Sequence, residues 1–197
     1  MTDKTDNDSG LVKRSKNGDI KAFEVLVNKY QDKLYKSAYW FTGTRDDAFD
    51  ITQEVFIAAF ENINKFKGKS SFFTWLYWLL IDRCQRKFKK KKRLNKHAKI
   101  TSLDQHIETE KQTISREFAD KKESPWEELL KKERETLIIN AVNLLKEKYK
   151  IPVILCDFQN MPYKQAAVIA KCSEGTLKSR LFRARKILKK SLEKILK

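Results

Sequence analysis

Glycine and proline are scarce, at 5 and 3 in 197 residues. That excludes collagen-like and low-complexity chains and argues against a β-sandwich, whose many turns need both. The three cysteines (Cys84, Cys156, Cys172) are odd in number and far apart. They fit neither a disulfide framework nor a zinc ligand set, so free thiols in a reducing compartment are expected. No apolar run approaches the ~20 residues of a membrane-spanning helix. The longest apolar-rich stretch runs from Phe72 to Ile81 and is interrupted by Thr74. The opening MTDKTDNDSG lacks the basic-then-apolar pattern of a secretory signal. A cytoplasmic location without membrane insertion is the expectation. There is no glycine-rich phosphate loop and no metal-spaced cluster, and the two histidines, His97 and His106, lie at or in a polar stretch. No catalytic residue, metal or cofactor is expected.

What is abundant is positive charge: 43 Lys+Arg against 26 Asp+Glu, a formal net charge of +17. Such a surplus attracts phosphate backbones or anionic membranes. Residues 1–90 hold 17 basic and 12 acidic groups (+5), 91–124 hold 9 and 6 (+3), and 125–197 hold 17 and 8 (+9). The charge concentrates at Arg86–Lys99 and Lys178–Lys197.

Apolar residues recur with helical spacing throughout. Ile20, Phe23, Val27, Tyr30, Leu34, Ala38 and Phe41 form one face, Gly43 is placed to stop that helix, and Thr44 is placed to cap the next. The second helix runs to about Ile63, and Ser70 or Ser71 can cap a third from Phe72 into the lysine run. From Leu94 to Ser124 the stripe lapses, which reads as a linker. Ser124 and Pro125 then start a helix reaching about Leu145, followed by short helices near Pro152–Phe158 and Pro162–Ala170 and a last one from Glu174. The expected fold is all-α: a flexible tail (1–16), a helical domain (17–93), a flexible linker (94–124) and a second helical domain (125–197).

The last two helices, joined through Lys171-Cys172-Ser173, have helix-turn-helix spacing. On a wheel of the second, Leu177, Leu181, Ala184 and Leu188 share the buried arc. Ser179, Phe182, Arg183 and Lys186 lie opposite, with Lys178, Arg180 and Arg185 flanking. A solvated basic face accounts for the cations but not for an outward Phe182. A DNA-reading helix accounts for both, since Arg reads guanine edges and an apolar group touches thymine methyls.

Two features stand out in the first domain. Asp47, Asp50, Glu54 and Glu61 share an arc with Gln53 and Ile57, opposite Ala48, Ile51, Val55 and Ala59. Acids beside an exposed isoleucine in so basic a chain suggest a protein-docking surface. The run from Phe72 to Trp78 holds five aromatics, of which Phe72 and Trp75 join Leu76, Leu79 and Leu80 in the stripe. Phe73, Tyr77 and Trp78 are left for other faces, directly before Arg83, Arg86, Lys87 and further lysines. Aromatics to stack bases next to cations for phosphates suit single-stranded nucleic acid.

Three segments then appear in order: Asp47-Ala48-Phe49-Asp50-Ile51-Thr52-Gln53-Glu54-Val55-Phe56, Ser71-Phe72-Phe73-Thr74-Trp75-Leu76-Tyr77, and Gly175 through Arg185. Together the chain resembles the extracytoplasmic-function (ECF) group of bacterial RNA polymerase sigma factors, over nearly its whole length outside the first residues and the linker. The resemblance implies a promoter-directing subunit with no catalytic site of its own. Its acidic helix (Asp47, Asp50, Gln53, Glu54, Ile57) would dock on core RNA polymerase. The aromatic-basic helix (Phe73, Trp75, Tyr77, Trp78, Arg83, Arg86, Lys87) would help melt the minus-ten element and hold its non-template strand. The last helix would read the minus-thirty-five element, with Lys178, Ser179, Phe182 and Arg183 toward bases and Thr176 and Arg180 toward phosphates. An anti-sigma protein is the further partner the resemblance implies. Asp82 and Arg86 stand where the family commonly has Asn and Asp, so Asp82 needs Arg83 or Arg86 as a partner. Lys171 stands where the turn often has glycine, and Lys146 where a proline is usual. Two alternatives remain open: a helix-turn-helix regulator acting on duplex DNA without polymerase, and a nucleic-acid-processing enzyme, which lacks an evident metal-binding carboxylate cluster.

Overall fold

A computed structural model describes residues 6–101 and 125–195, with side chains at 8–90, 126, 130 and 133–193. Eight α-helices account for most of the described residues, and none of these residues is in a strand. They are α1 (Asp6–Lys16), α2 (Ile20–Thr42), α3 (Arg45–Asn62), α4 (Phe72–Thr101), α5 (Pro125–Asn143), α6 (Glu147–Val153), α7 (Tyr163–Ile169) and α8 (Glu174–Ile195). A single 3₁₀ turn follows α3, and α6 runs on into a π turn at Ile154–Phe158. The helices form two groups, α1–α4 and α5–α8.

The helix ends follow from local chemistry. Asp19 caps α2 by accepting a hydrogen bond from the Ala22 N–H at 3.0 Å. Gly43, at φ +82°, ends it with its own N–H donating to Tyr39 O at 2.8 Å. That left-handed conformation favours glycine, as expected of a C-terminal stop. Most of the spaced residues are buried: Phe23, Tyr30, Leu34, Ala38 and Phe41 on α2, and Ala48, Ile51, Val55 and Ala59 on α3, while Val27 is half-buried and Ile20, in the first turn of α2, is 61% exposed. Fully burying a leucine such as Leu26, Leu34, Leu76 or Leu80 contributes roughly 1.5–3 kcal/mol.

Two boundaries differ from the expectation. Residues 6–16 are no flexible tail but the helix α1, anchored by Val12 and by the buried Asp8, which accepts hydrogen bonds from Lys29 and Tyr30 of α2. Its sequence shows little apolar periodicity, because one buried carboxylate fixes the helix where a wide apolar stripe is missing. The helix α4 also continues past Arg93 to Thr101, through residues assigned to the linker. Neither Gly nor Pro occurs between Phe72 and Thr101, and the run is rich in good helix formers. The rest of the expected linker, and the Ser124 cap, lie outside the described residues.

The two groups of helices are not separate in space. Their buried residues form one continuous apolar cluster, from Val12 through Leu80 to Ala184. Trp40 of α2 stacks on Phe158 of the π turn with ring centroids 3.8 Å apart and planes 5° from parallel. A β-carbon on Gly43 would sit 2.8 Å from Asn143 Nδ2 and 3.2 Å from Ile139 Cγ2, so the end of α2 abuts α5 closely.

Candidate nucleic-acid interface

The helix-turn-helix is built from α7 and α8. Proline precedes Tyr163 at the start of α7, and Lys171 occupies the turn at φ +51°. Its N–H donates to Val168 O at 3.2 Å and the next N–H, of Cys172, to Ala167 O at 3.0 Å, closing α7. The position usually held by glycine is therefore still left-handed here, at a cost of roughly 1–2 kcal/mol for a residue with a β-carbon. Ser173 caps α8, its Oγ accepting from Thr176 N–H at 3.2 Å and donating to Thr176 Oγ1 at 2.8 Å.

On α8, Leu177, Leu181 and Ala184 are buried and Leu188 is half-buried. Thr176, Lys178, Ser179, Phe182 and Arg183 face solvent, and Arg180 is half-buried. Phe182 is 70% exposed, so its ring contributes nothing to the core. Lys178 is not free: its ammonium lies 2.7 Å from Glu174 and 5.6 Å from the centre of the Tyr163 ring. The hydrogen bond to Glu174, with its charge, raises the Lys178 pKa. Arg185 forks onto Asp157, with Nε 3.2 Å from Oδ2 and Nη2 2.5 Å from Oδ1. That pair links α8 to the π turn.

The acidic face of α3 is exposed at Asp50, Gln53, Glu54 and Ile57, and Asp47 is half-buried. Phe49, Ile57 and Phe60 are 57%, 58% and 47% exposed, so the surface has more apolar area than the acids alone suggest. Phe49 and Phe60, which the helical wheel places a little further round from the acidic arc, extend it beyond the five residues assigned to docking. At its edge Lys87 Nζ lies 2.6 Å from Asp47 Oδ1 and 3.7 Å from Asp50 Oδ2. Burial works against the Lys87 charge, but the hydrogen bond and charge of Asp47, with Asp50 and Glu54, outweigh it and raise the pKa.

The aromatic set on α4 divides. Tyr77 is a core residue and not a strand contact: it is fully buried, and its hydroxyl lies 2.8 Å from Ser37 Oγ. Burial pushes its pKa up to about 12. The wheel places residue 77 off the main stripe, but α2 closes over that side. Phe73 and Trp75 are half-buried, Phe73 against Tyr30 and Trp75 against Phe66. Trp78 is half-buried, with its indole N–H enclosed and without an acceptor among the described residues, as is Arg83 Nε. Arg86 Nε pairs with Asp82 at 2.9 Å, the partner the sequence required for that carboxylate.

One feature was not legible. Between α1 and the amino end of α4 lies a cavity of about 360 Å³ lined by Lys13, Lys16, Phe66, Gly68, Ser70 and Ser71, among others. Lys16 donates to Phe66 O at 2.5 Å and lies 5.8 Å from that ring's centre. The only signal was the cluster Lys65-Phe66-Lys67-Gly68-Lys69, and a chain read as starting in a tail gives it no opposite wall. Among the described residues, no group of three or more His, Cys, Asp or Glu is placed to hold a metal, and no helix is long and apolar enough to cross a membrane.

The chain matches known proteins along its length. Residues 26–94 match Sigma-70 region 2 and residues 135–188 match Sigma-70, region 4. It is 31% identical to RNA polymerase sigma-H factor of Pseudomonas aeruginosa, over 98% of this chain and 97% of that protein. It is 30% identical to ECF RNA polymerase sigma-E factor of Haemophilus influenzae, over 96% and 97%. In fold it is similar to CnrH, solved in complex with the cytosolic domain of CnrY: TM-score 0.68, 19% identity, 95% of this chain and 97% of that one. It is similar also to the sigma factor RpoE of Bartonella quintana, solved with the anti-sigma factor NepR: TM-score 0.63, 22% identity, 88% and 98%. The regions that match are the ones that carry the acidic, aromatic-basic and helix-turn-helix segments, and the chain belongs to the ECF group of the sigma-70 family of RNA polymerase sigma factors.

Proposed function

We propose that the chain docks on core RNA polymerase through the α3 surface of Asp50, Gln53, Glu54, Ile57 and the adjoining Phe49 and Phe60. In that holoenzyme α8 lies in the major groove of the minus-thirty-five element. Lys178, Ser179, Phe182 and Arg183 meet base edges there, and Thr176 and Arg180 meet phosphates. The amino end of α4, with Phe73, Trp75 and the basic cavity beside them, receives bases extruded from the minus-ten element. Unstacking costs a few kcal/mol per base, and aromatic and cationic contacts offset it. The chain performs no bond chemistry and uses no metal or cofactor. It works in the cytoplasm and is held in check there by an anti-sigma protein.

The observation that carries this reading is the 70% exposure of Phe182 between Ser179 and Arg183 on a capped helix. The α3 surface favours a sigma factor over a duplex-only regulator, which has no use for an exposed Ile57 ringed by carboxylates. Binding of the purified chain to core polymerase tests this. Asp50→Ala with Glu54→Ala is expected to weaken it at least about tenfold, the size of effect for losing interface residues worth more than 1 kcal/mol. Unchanged binding would reject the docking surface.

A further inference from the structure

A cavity of about 730 Å³ lies where the end of α2, the middle of α4, the end of α5 and α6 meet. Its walls are apolar: Phe41 of α2, Ile81 and Phe88 of α4, Leu145 after α5 and Ile151 of α6, with the Cys84 thiol among them. Phe41, Ile81, Cys84, Leu145 and Ile151 are buried, so most of the wall belongs to the folded core. Lys89 and Glu147 are exposed at the rim, where the cavity opens to solvent.

One charged group stands inside this apolar enclosure. Lys150 of α6 is 6% exposed, and its ammonium has three N–H groups to place. One donates to Asn143 Oδ1 at 2.8 Å, and the centre of the Phe88 ring lies 4.6 Å from Nζ on another side. Among the described residues no carboxylate forms an ion pair with Lys150. Burial lowers its pKa from the ordinary lysine value, and the nearby Cys84 and Glu147 offset only part of that. Burial also pushes the Cys84 thiol up to about 12, so near neutral pH it is an uncharged wall and supplies no counter-ion.

A buried cation without a counter-ion is costly, and an anion that joins it in the enclosure reduces the cost. The cavity also sets the class of that anion. A phosphate group calls for several donors, whereas one ammonium with one free N–H suits a single carboxylate. The remaining volume, within the roughly 300–1,000 Å³ of small-molecule sites, is filled favourably by an apolar chain.

We propose that this cavity is a binding site for an unbranched alkyl carboxylate, its carboxylate on Lys150 and its chain along Phe41, Ile81 and Leu145. The ligand touches both groups of helices, α2 and α4 on one side and α5 and α6 on the other. The site needs neither polymerase nor promoter, so it stands or falls apart from the sigma-factor reading.

Calorimetric titration of the full chain with decanoate, and with decan-1-ol as the uncharged chain of equal length, tests it. Wild type is expected to bind one equivalent of decanoate at least about tenfold more tightly than decan-1-ol, the range for a hydrogen bond to a charged group. Lys150→Met keeps the length and apolar fill of the side chain and should bring the two affinities within about twofold. Gln85→Trp, which narrows the cavity from α4, should weaken both ligands by about tenfold or more. Equal wild-type affinity for acid and alcohol, or no decanoate binding at millimolar concentration, would overturn the proposal whether or not either variant folds. Several equivalents bound with equal affinity would show adsorption on a surface of net charge +17 and overturn it too. So would an acid preference that survives in folded Lys150→Met.

Discussion

Lys87 Nζ and Asp47 Oδ1 lie 2.6 Å apart, so a cation assigned to the minus-ten strand is held by a carboxylate assigned to polymerase. The pair joins α4 to α3 across the two proposed surfaces. With side chains 37% and 33% exposed, it is worth at most about 1 kcal/mol. A double-mutant cycle on Lys87→Ala and Asp47→Ala, read by urea unfolding, is expected to give a coupling of about 0.2–1 kcal/mol. Zero coupling would show that the ion pair does not hold Lys87 away from DNA.

The outward and inward residues of α8 are expected to separate cleanly on substitution. Phe182→Ala should leave stability within about 0.5 kcal/mol, whereas Leu181→Ala should cost about 2–5 kcal/mol. Arg183→Ala should lose about 1–3 kcal/mol of minus-thirty-five affinity and relax preference at one base position. Lys189→Ala should weaken binding evenly across sequences. Thermal melts and a binding screen over single-base variants check both.

Tyr77→Phe removes the hydroxyl bonded to Ser37 and should destabilise by about 1 kcal/mol, without altering strand capture at a temperature where the variant is folded. Phe73→Ala should instead impair binding of a single-stranded minus-ten probe. Equal loss of probe binding in both would restore Tyr77 to the DNA surface.

Lys171 at φ +51° stores strain that glycine removes. Lys171→Gly is expected to stabilise by about 0.5–1 kcal/mol, the local relief being partly offset by a freer unfolded chain. A lower melting temperature would contradict this.

Alkaline pH should destabilise the fold. Burial pushes the Cys84 thiol up to about 12 and Tyr77 to about 12, from ordinary values of 9 and 10. Above pH 9 the unfolded chain loses these protons first while the folded chain keeps them, so stability falls as pH rises toward 12. Cys84 alone adds a slope of up to about 1.4 kcal/mol per pH unit, and Cys84→Ala should remove it. At pH 8 alkylation should reach the half-buried Cys172 well before Cys84.

Much of this was legible in the sequence, because most elements bury one regularly spaced face. The stripes of α2, α3 and α8 are periodic, and their ends carry Gly43, Thr44 and Ser173. The Asp82–Arg86 pair was legible too, since a carboxylate among strand-binding residues needs a cation one turn away. Where burial depends on partners distant in sequence, the signal disappears. Helix α1 is fixed by Asp8 reaching Lys29 and Tyr30, and Tyr77 is buried because α2 lies over it. The seating of Lys150 over Phe88 joins residues 62 positions apart, and no local spacing encodes it.

The central claim is that the chain brings core polymerase to promoters and reads them with α8. Run-off transcription with purified core polymerase on a library of minus-thirty-five variants tests it most directly. Promoter-specific transcripts should require the chain, disappear with Asp50→Ala and Glu54→Ala together, and change their minus-thirty-five profile with Arg183→Ala. Transcripts that form equally without the chain, or an identical profile for Arg183→Ala, would contradict it.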